Sequence, residues 1–280
     1  MLSSDVIAAG LGITSATTWG IGDFAGGLAS RKANVFGVVS LGYFTGFLLM
    51  LAAALVSGEA HAAARSLWWA LAAGLVGGLA LSAFYAGLAI GEMGTVAPVA
   101  AVLTAALPVL FGAWTEGVPK RIQIAGFALA SLSLWLVAKT EAALGRPKGF
   151  GLALAAGVGF GAYLILIRMA GNATVFWPLA VARAGSSFSA ATIGMLTGRF
   201  ALPRAKGLTL SALAGIFDVL GITLFVIATR YGRLDVTAVL ASLYPAVTVI
   251  LARFVLQEEL KMHQRIGMLA ALVSVVLIAA

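Results

Sequence analysis

The chain contains no cysteine and carries little charge. Its 280 residues include 18 Lys and Arg and 10 Asp and Glu, so charged residues make up only 10% of the sequence. The absence of cysteine excludes disulfide bonds and thiolate metal sites. Soluble domains contain about 25% charged residues, so the low charge excludes an ordinary soluble domain.

Apolar residues dominate the rest of the sequence. They account for 61% of the chain, together with 34 glycines. Small residues let transmembrane helices approach closely, because lipid provides no hydrophobic drive between helices. We therefore predict an all-α protein that crosses the lipid bilayer several times. The net charge of +8 lies mostly in short connections, and no basic stripe with interleaved aromatic residues indicates a nucleic-acid partner.

Ten apolar segments approach the length of about 20 residues that a helix needs to cross the hydrocarbon core. They lie at roughly 5–27, 35–57, 67–90, 95–115, 122–138, 150–170, 176–198, 208–230, 234–256 and 264–280. The first segment lacks a basic region and a cleavage site, so we expect it to be a retained span. The connections between segments are short, so we expect no separate soluble domain.

The second half of the chain repeats the first at a distance of about 140 residues. Matching pairs include Val35 and Val175, Gly74 and Gly215, Phe84 and Phe225, and Gly126 and Gly267. The repeat predicts two domains, residues 1–143 and 144–280, each with five spans. Because five is odd, the second domain enters the membrane inverted, and a pseudo-two-fold axis in the membrane plane relates the two.

One segment of the second repeat combines a proline, acidic residues and a glycine. It runs from Tyr244-Pro245 through Glu258-Glu259 to Gly267. This arrangement resembles the ten-helix, EamA-type members of the drug/metabolite transporter superfamily, in which a proline lies early in the fourth helix of a repeat. The first repeat matches this pattern more weakly, since Thr104 aligns with Pro245.

The resemblance implies a secondary transporter that exports small metabolites, often amino acids, from a central cavity. It implies no enzymatic activity and no cofactor or metal. It also implies a plasma (bacterial inner) membrane protein with both termini in the cytoplasm, and we expect it to function as a monomer. With that orientation, however, the cytoplasmic connections hold six Lys and Arg and the opposite ones ten. The positive-inside rule favours the reverse, so the sequence leaves the orientation open.

Three of the charged residues within the predicted spans are candidates for a function in the membrane interior. A charge at the bilayer centre costs about 2.5–3.5 kcal/mol on the insertion scale, so it is a functional hypothesis by default. Asp218 lies near the middle of span eight, and Arg183 in span seven can pair with it. This pair either holds two helices together or binds ionic groups of the substrate. Asp218 and Asp23, which lies near one end of span one, are candidates for proton coupling.

Polar and aromatic side chains at helical spacing indicate which faces line a cavity. The candidate substrate-binding residues are Thr18, Trp19, Ser82, Tyr85, Tyr163, Arg183, Asp218, Thr237 and Tyr244. For the hydroxyl residues the alternative is helix packing with a hydrogen bond to the preceding turn. Pro98, Pro108 and Pro245 lie inside spans four and nine, where each removes one backbone hydrogen bond. They predict either gates or static curvature.

Three other functions stay open on the sequence. The same scaffold can extrude cationic drugs, although related four-helix pumps use a Glu in their first helix and spans one and six contain none. The string Gly20-Ile21-Gly22-Asp23, with Asp218 as second carboxylate, allows an intramembrane aspartyl protease. That enzyme requires direct or water-bridged contact between Asp23 and Asp218. A passive channel requires a continuous pore.

Overall fold

The structure, a computed structural model, describes residues 4–115, 117–138, 148–171, 173–257 and 262–279. Within these residues the chain forms eleven α-helices and no strand. The helices are α1 (Ser4–Ser30), α2 (Val35–Val56), α3 (Ala64–Ile90), α4 (Met93–Thr115), α5 (Arg121–Ala138), α6 (Phe150–Met169), α7 (Phe176–Leu196), α8 (Lys206–Tyr231), α9 (Leu234–Ala241), α10 (Tyr244–Leu256) and α11 (Met262–Ala279). The predicted all-α class is confirmed. The domain boundary at 143 and 144 and the pair Glu258 and Glu259 lie outside the described residues.

Six helical segments in the described part of the chain are long and apolar enough to cross a bilayer. They are α2, α3, α6, α7, α8 and the segment Leu234–Leu256, while Val99–Thr115 is a shorter apolar helix. Large apolar side chains such as Trp114, Leu196 and Phe254 lie exposed on the outside of the bundle. A lipid environment accommodates such a surface, whereas water does not. These features are those of a multi-pass membrane protein.

The predicted span 234–256 is confirmed as one apolar segment, Leu234–Leu256, but two helices form it where the sequence predicted a single helix with a proline kink. Helix α9 ends at Ala241 and α10 begins at Tyr244. The Leu243 N–H donates to the Leu240 carbonyl at 3.2 Å, which closes the break with a tight 3₁₀-type turn. Pro245 lies in the first turn of α10, where its missing N–H interrupts no helical hydrogen bond. This proline therefore begins a helix and does not kink one.

The helices of the two halves interlock according to a repeated pattern. Helix α1 packs against α8 and α10, α2 against α7 and α8, α3 against α6 and α7, α4 against α6, and α5 against α11. The set of pairs stays the same when each helix is replaced by its counterpart in the other half, with α9 and α10 counted together as the counterpart of α4. For example, α1–α8 becomes α6–α3, and α2–α8 becomes α7–α3. This self-matching pattern is what a two-fold axis between the halves requires.

Two glycines bring helices from opposite halves into direct backbone contact. Gly74 in α3 lies against the carbonyl group of Ala182 in α7, and Gly215 in α8 lies against that of Gly42 in α2. A Cβ atom at Gly74 or Gly215 would overlap the facing carbonyl oxygen. The two contacts are equivalent under the repeat of about 140 residues. Close glycine contacts therefore hold the α3–α7 and α2–α8 crossings, two of those between the halves.

A carboxylate joins the two halves beyond the end of α2. Glu59, in the connection between α2 and α3, accepts hydrogen bonds from the N–H groups of Val175 at 2.6 Å and Phe176 at 2.9 Å. The Trp177 indole donates to the Glu59 carbonyl at 3.4 Å and stacks on His61. Val175, which precedes α7, provides no capping hydrogen bond from its own side chain. Glu59 therefore caps a helix of the other half, whose first N–H groups lack helical partners.

Candidate functional site

A central cavity of about 50 Å³ lies between the two halves. Its walls come from helices of both halves, namely α1–α4, α6–α8 and α10. The lining residues are Trp19, Asp23, Tyr43, Gly77, Leu81, Thr104, Phe160, Tyr163, Leu164, Arg183, Asp218 and Tyr244. One water needs about 10–15 Å³ of such volume. The cavity therefore has room for several waters or for one small polar molecule.

The structure brings six of the predicted site residues together at this cavity. They are Trp19, Asp23, Tyr163, Arg183, Asp218 and Tyr244. These residues come from α1, α6, α7, α8 and α10 and lie far apart in sequence. The convergence of three ionisable side chains on an otherwise apolar interior makes this cavity the candidate site.

Arg183 and Asp218 form the predicted ion pair. Nη2 of Arg183 lies 2.9 Å from Oδ2 of Asp218, with the two side chains 1% and 20% exposed. The guanidinium carbon lies 5.0 Å from the ring centre of Tyr43 and 5.6 Å from that of Tyr163, within cation–π range. The pair links α7 to α8, and α2 packs against both helices. Gly46 of α2 leaves room beside the pair, since a Cβ there would lie 2.6 Å from Cγ2 of Val219, the residue after Asp218.

Several polar atoms around the cavity lack hydrogen-bond partners among the described residues. They are the hydroxyls of Tyr163 and Tyr244 and Nε of Arg183. Oδ2 of Asp218 is within ion-pair distance of Arg183, but the contact does not have hydrogen-bond geometry. Buried polar groups in proteins nearly always have a partner. The two tyrosine hydroxyls are therefore available to a polar ligand or to water, whereas Arg183 and Asp218 are occupied with each other.

Asp23 is the third ionisable group of the cavity. It lies on α1, one helical turn after Trp19, and its side chain is partly exposed to the cavity. Within the described part of the chain, Asp23 makes no hydrogen bond and no ion pair. Its carboxylate is therefore the cavity charge without a counterion.

Trp19 contributes a ring to the cavity wall. Its indole N–H donates to the backbone carbonyl of Asp218 at 3.2 Å, and its ring lies 5.9 Å from that of Phe225. Gly221 lets the ring approach α8, because a Cβ there would overlap the indole. The N–H group is therefore satisfied by the protein, and only the apolar face of the ring is available to a ligand.

Three predicted hydroxyl residues lie outside the lining of this cavity. Thr18, Ser82 and Thr237 each donate to a carbonyl in the preceding turn of their own helix, at distances between 2.7 and 3.1 Å. Such back-bonding is the alternative that the sequence left open. Their proposed contribution to substrate binding therefore has no support from cavity geometry.

Tyr85 lines a second, smaller cavity of about 10 Å³. This space shares Tyr43, Leu81 and Asp218 with the central cavity. The Tyr85 hydroxyl donates to the Gly22 carbonyl at 3.4 Å. The predicted residue is therefore adjacent to the site and continues its polar wall.

Two polar lining residues were missed by the sequence analysis, Tyr43 and Thr104. A signal for Tyr43 exists in the repeat, because it lies about 140 residues before Arg183. Gly77 precedes Asp218 by about the same distance, and the Tyr43 hydroxyl donates to the Gly77 carbonyl at 3.3 Å. Transferring the two charged positions to the first half would therefore have identified two neighbouring cavity residues.

The three candidate gating prolines lie in different settings. Helix α4 runs without a break from Met93 to Thr115 through Pro98 and Pro108. Pro245 follows directly on the lining residue Tyr244 and begins α10. Of the three prolines, Pro245 alone therefore lies at a helix break beside the cavity.

A second buried ion pair lies at the start of α9, away from the cavity. Asp235 is fully buried, and its carboxylate lies 2.9 Å from Nη2 of Arg233. The same nitrogen donates to the Gly117 carbonyl at 2.7 Å. This contact fixes the start of α9 to the connection between α4 and α5, which is a structural role.

Comparison with known proteins gives consistent results. The sequence model of the EamA-like transporter family matches the chain twice, at residues 6–139 and 147–280. A solved crystal structure has the same fold, with a TM-score of 0.76 over 96% of this chain and 95% of that chain, at 18% identity. No curated protein is significantly similar to the sequence. The two matches cover nearly the whole chain, and the protein therefore belongs to the EamA-like transporter family of membrane transporters.

Proposed function

We propose that the protein is a secondary transporter that exports small metabolites, with amino acids as the first candidates. The observation that carries this proposal is the central cavity, which both halves line and in which three ionisable groups meet. Membrane-embedded charges at the interface of two repeats are typical of carrier binding sites. The family match supports transport, and the cavity supports a small polar substrate.

The proposed mechanism is alternating access between two inverted five-span domains, residues 1–143 and 144–280. The exchange symmetry of the helix contacts supports such an arrangement. In carriers of this kind, one repeat moves against the other around a fixed site near the bilayer midplane. Asp218, halfway along α8, lies at such a depth. The break between α9 and α10 is the proposed hinge beside the cavity.

The charged cavity residues have proposed roles in this mechanism. An amino acid carries an ammonium that can meet the carboxylate of Asp23, in the cavity that Arg183 and Asp218 also line. Asp23 and Asp218 are the proposed coupling sites for protons. We place the protein in the plasma (bacterial inner) membrane as a monomer with both termini cytoplasmic, although the Lys and Arg distribution favours the opposite orientation.

The second candidate function is efflux of cationic compounds on the same scaffold. The unpaired carboxylate of Asp23 and the aromatic walls of the cavity favour it. An aspartyl protease finds no comparable support. Asp218 is bound to Arg183, so it is not free to share a proton with Asp23 as a catalytic dyad requires.

Solute counterflow in liposomes tests the proposal. Proteoliposomes loaded with an unlabelled amino acid would be diluted into a trace of the labelled compound, for a panel of amino acids and with or without a pH gradient. A carrier produces transient accumulation above equilibrium, which a channel or an empty liposome does not. Absence of counterflow for every amino acid and amine tested would contradict the proposed function, whereas dependence on the pH gradient would identify proton coupling.

A further inference from the structure

The charges of the central cavity do not balance. Asp23, Arg183 and Asp218 are its three ionisable groups apart from tyrosines. Arg183 and Asp218 neutralise each other at 2.9 Å. Asp23 has no hydrogen-bond or ion-pair partner in the described part of the chain. With all three groups ionised, the cavity holds one negative charge in excess.

Arg183 is not free to bind an anion. Its side chain is 1% exposed and is held by Asp218 on one side. The rings of Tyr43 and Tyr163 lie within 5.6 Å of the guanidinium carbon. A substrate carboxylate would have to displace Asp218 from a buried pair, and removing one partner of such a pair is costly. The cavity therefore offers an anion no unoccupied cation.

The surroundings of Asp23 suit a positive group. The face of Trp19 lies one turn away on the same helix, and Phe160 and Tyr244 contribute further aromatic walls. Aromatic faces attract cations through their quadrupole, most strongly where water is excluded. The Tyr244 hydroxyl is buried without a hydrogen-bond partner among the described residues, so it can accept a bond from an ammonium.

We propose that Asp23 binds the positively charged group of the substrate, and that the cavity selects small compounds with an ammonium group, amino acids among them, over uncharged and anionic compounds. This inference rests on the proposed transport function and names its substrate class. Asp23 is then the residue that determines charge specificity, while the Arg183–Asp218 pair shapes the cavity and does not contact the charge of the substrate.

A four-carbon series tests this selectivity. Butylamine, 2-aminobutyrate, butanol and butyrate have similar size but carry positive, zwitterionic, no and negative charge, and each is small enough for a cavity that holds several waters. Thermal unfolding of the purified full chain in detergent reports their binding, because a ligand of the native state raises the unfolding temperature. Full titrations at constant ionic strength and pH give the concentration for half-maximal shift.

The series would be measured for the wild type, Asp23→Asn, Asp23→Glu and the control Asp5→Asn. Asp5 is an exposed carboxylate at the start of the same helix, so the control makes an identical change outside the cavity. We expect butylamine to act at the lowest concentration, followed by 2-aminobutyrate, with butanol and butyrate weakest. Asp23→Asn should weaken butylamine roughly tenfold or more and remove its advantage over butanol. Asp23→Glu and Asp5→Asn should keep that advantage.

Two results would overturn the inference. One is a wild type that binds butanol or butyrate as well as butylamine, as a protonated Asp23 would produce. The other is an Asp23→Asn variant that folds and keeps the preference for butylamine. Counterflow distinguishes a wrong assignment of charge selectivity from a wrong assignment of transport. Counterflow of uncharged or anionic solutes as strong as that of butylamine would reject the charge selectivity alone. Asp23-dependent cation binding without any counterflow would reject the transport function alone.

Discussion

At the scale of single residues, the two halves differ most where the charges lie. Arg183 and Asp218 occupy the positions that Tyr43 and Gly77 hold in the first half, about 140 residues earlier. In the first half a neutral hydrogen bond of 3.3 Å joins α2 to α3, whereas an ion pair joins α7 to α8 in the second. The cavity is therefore chemically asymmetric within a symmetric arrangement of inter-half contacts, and among its described lining residues Asp23 is the one charged group from the first half.

Loss of the Asp218 charge should impair both stability and transport. Asp218→Asn leaves Arg183 buried without a counterion, and removing one partner of a buried pair costs about 3–5 kcal/mol. We therefore expect a lower unfolding temperature and a larger loss of counterflow than in Asp23→Asn, which breaks no pair. The double variant Arg183→Met/Asp218→Leu should regain stability but not transport. Wild-type stability and flux in Asp218→Asn would remove it from the site.

The charged residues that line the candidate cavity stand out in the sequence, whereas its Ser and Thr residues do not, for a physical reason. A charge within an apolar span is costly, so Asp218, Arg183 and Asp23 stand out whatever the fold. A Ser or Thr can satisfy its hydroxyl on the preceding turn. Thr18 and Thr104 both do so, yet Thr104 lines the cavity and Thr18 does not, and the sequence cannot distinguish the two.

At the scale of helices, the length of apolar segments predicts most helix boundaries. It does not predict a break that depends on packing against another helix. Pro108 and Pro245 give the same sequence signal, yet α4 is continuous and span nine is broken. The break lies where α10 meets α1: Gly20 packs against the Tyr244 carbonyl, and the Thr248 hydroxyl reaches the Gly20 carbonyl at 3.2 Å. The break between α9 and α10 thus coincides with contacts to α1, which is distant along the chain. Hydropathy does not reveal such contacts.

The close crossing of α3 and α7 should not tolerate even one methyl group. In Gly74→Ala the new Cβ overlaps the Ala182 carbonyl oxygen, so the helices must separate. Overpacking of this kind costs about 1–3 kcal/mol. We expect Gly74→Ala to lower the unfolding temperature, whereas Gly10→Ala, whose Cβ meets no atom within 4 Å, should not. Equal unfolding temperatures for the two variants would refute the contact.

The Glu59 cap should restrain opening on its side of the molecule. Glu59→Ala removes both acceptors from the start of α7, and loss of a cap costs about 0.5–2 kcal/mol. Because the chain has no cysteine, Thr104→Cys provides a single reactive thiol in the cavity. We expect an impermeant maleimide applied from the Glu59 side to label this thiol faster in the Glu59→Ala background.

The matched control uses the other end of the bundle. There the Asn34 side chain caps its own helix α2 by accepting a hydrogen bond from the Gly37 N–H at 3.2 Å. This cap therefore lies within one half. Asn34→Ala should therefore leave labelling from the Glu59 side unchanged. An identical labelling rate with and without Glu59 would show that the cap does not restrain opening.

At the scale of the whole molecule, duplication explains how one small cavity can serve two compartments. The main contacts between the halves recur when the halves are exchanged, and equivalent glycine contacts occur at the α3–α7 and α2–α8 crossings. Two equivalent halves can adopt each other's conformations, which converts a state open to one side into a state open to the other. The repeat is visible in the sequence, but the residues that meet between the halves are not, because they lie on helices that are distant along the chain.

Accessibility of the cavity from each side of the membrane is the direct test of alternating access. The Thr104→Cys variant would be treated with an impermeant maleimide in sealed vesicles of each orientation, with and without butylamine. Alternating access predicts labelling from both sides, and protection by the bound cation in each case. Labelling from one side only, or from neither, while the variant still performs counterflow would contradict a cavity that opens alternately to the two compartments.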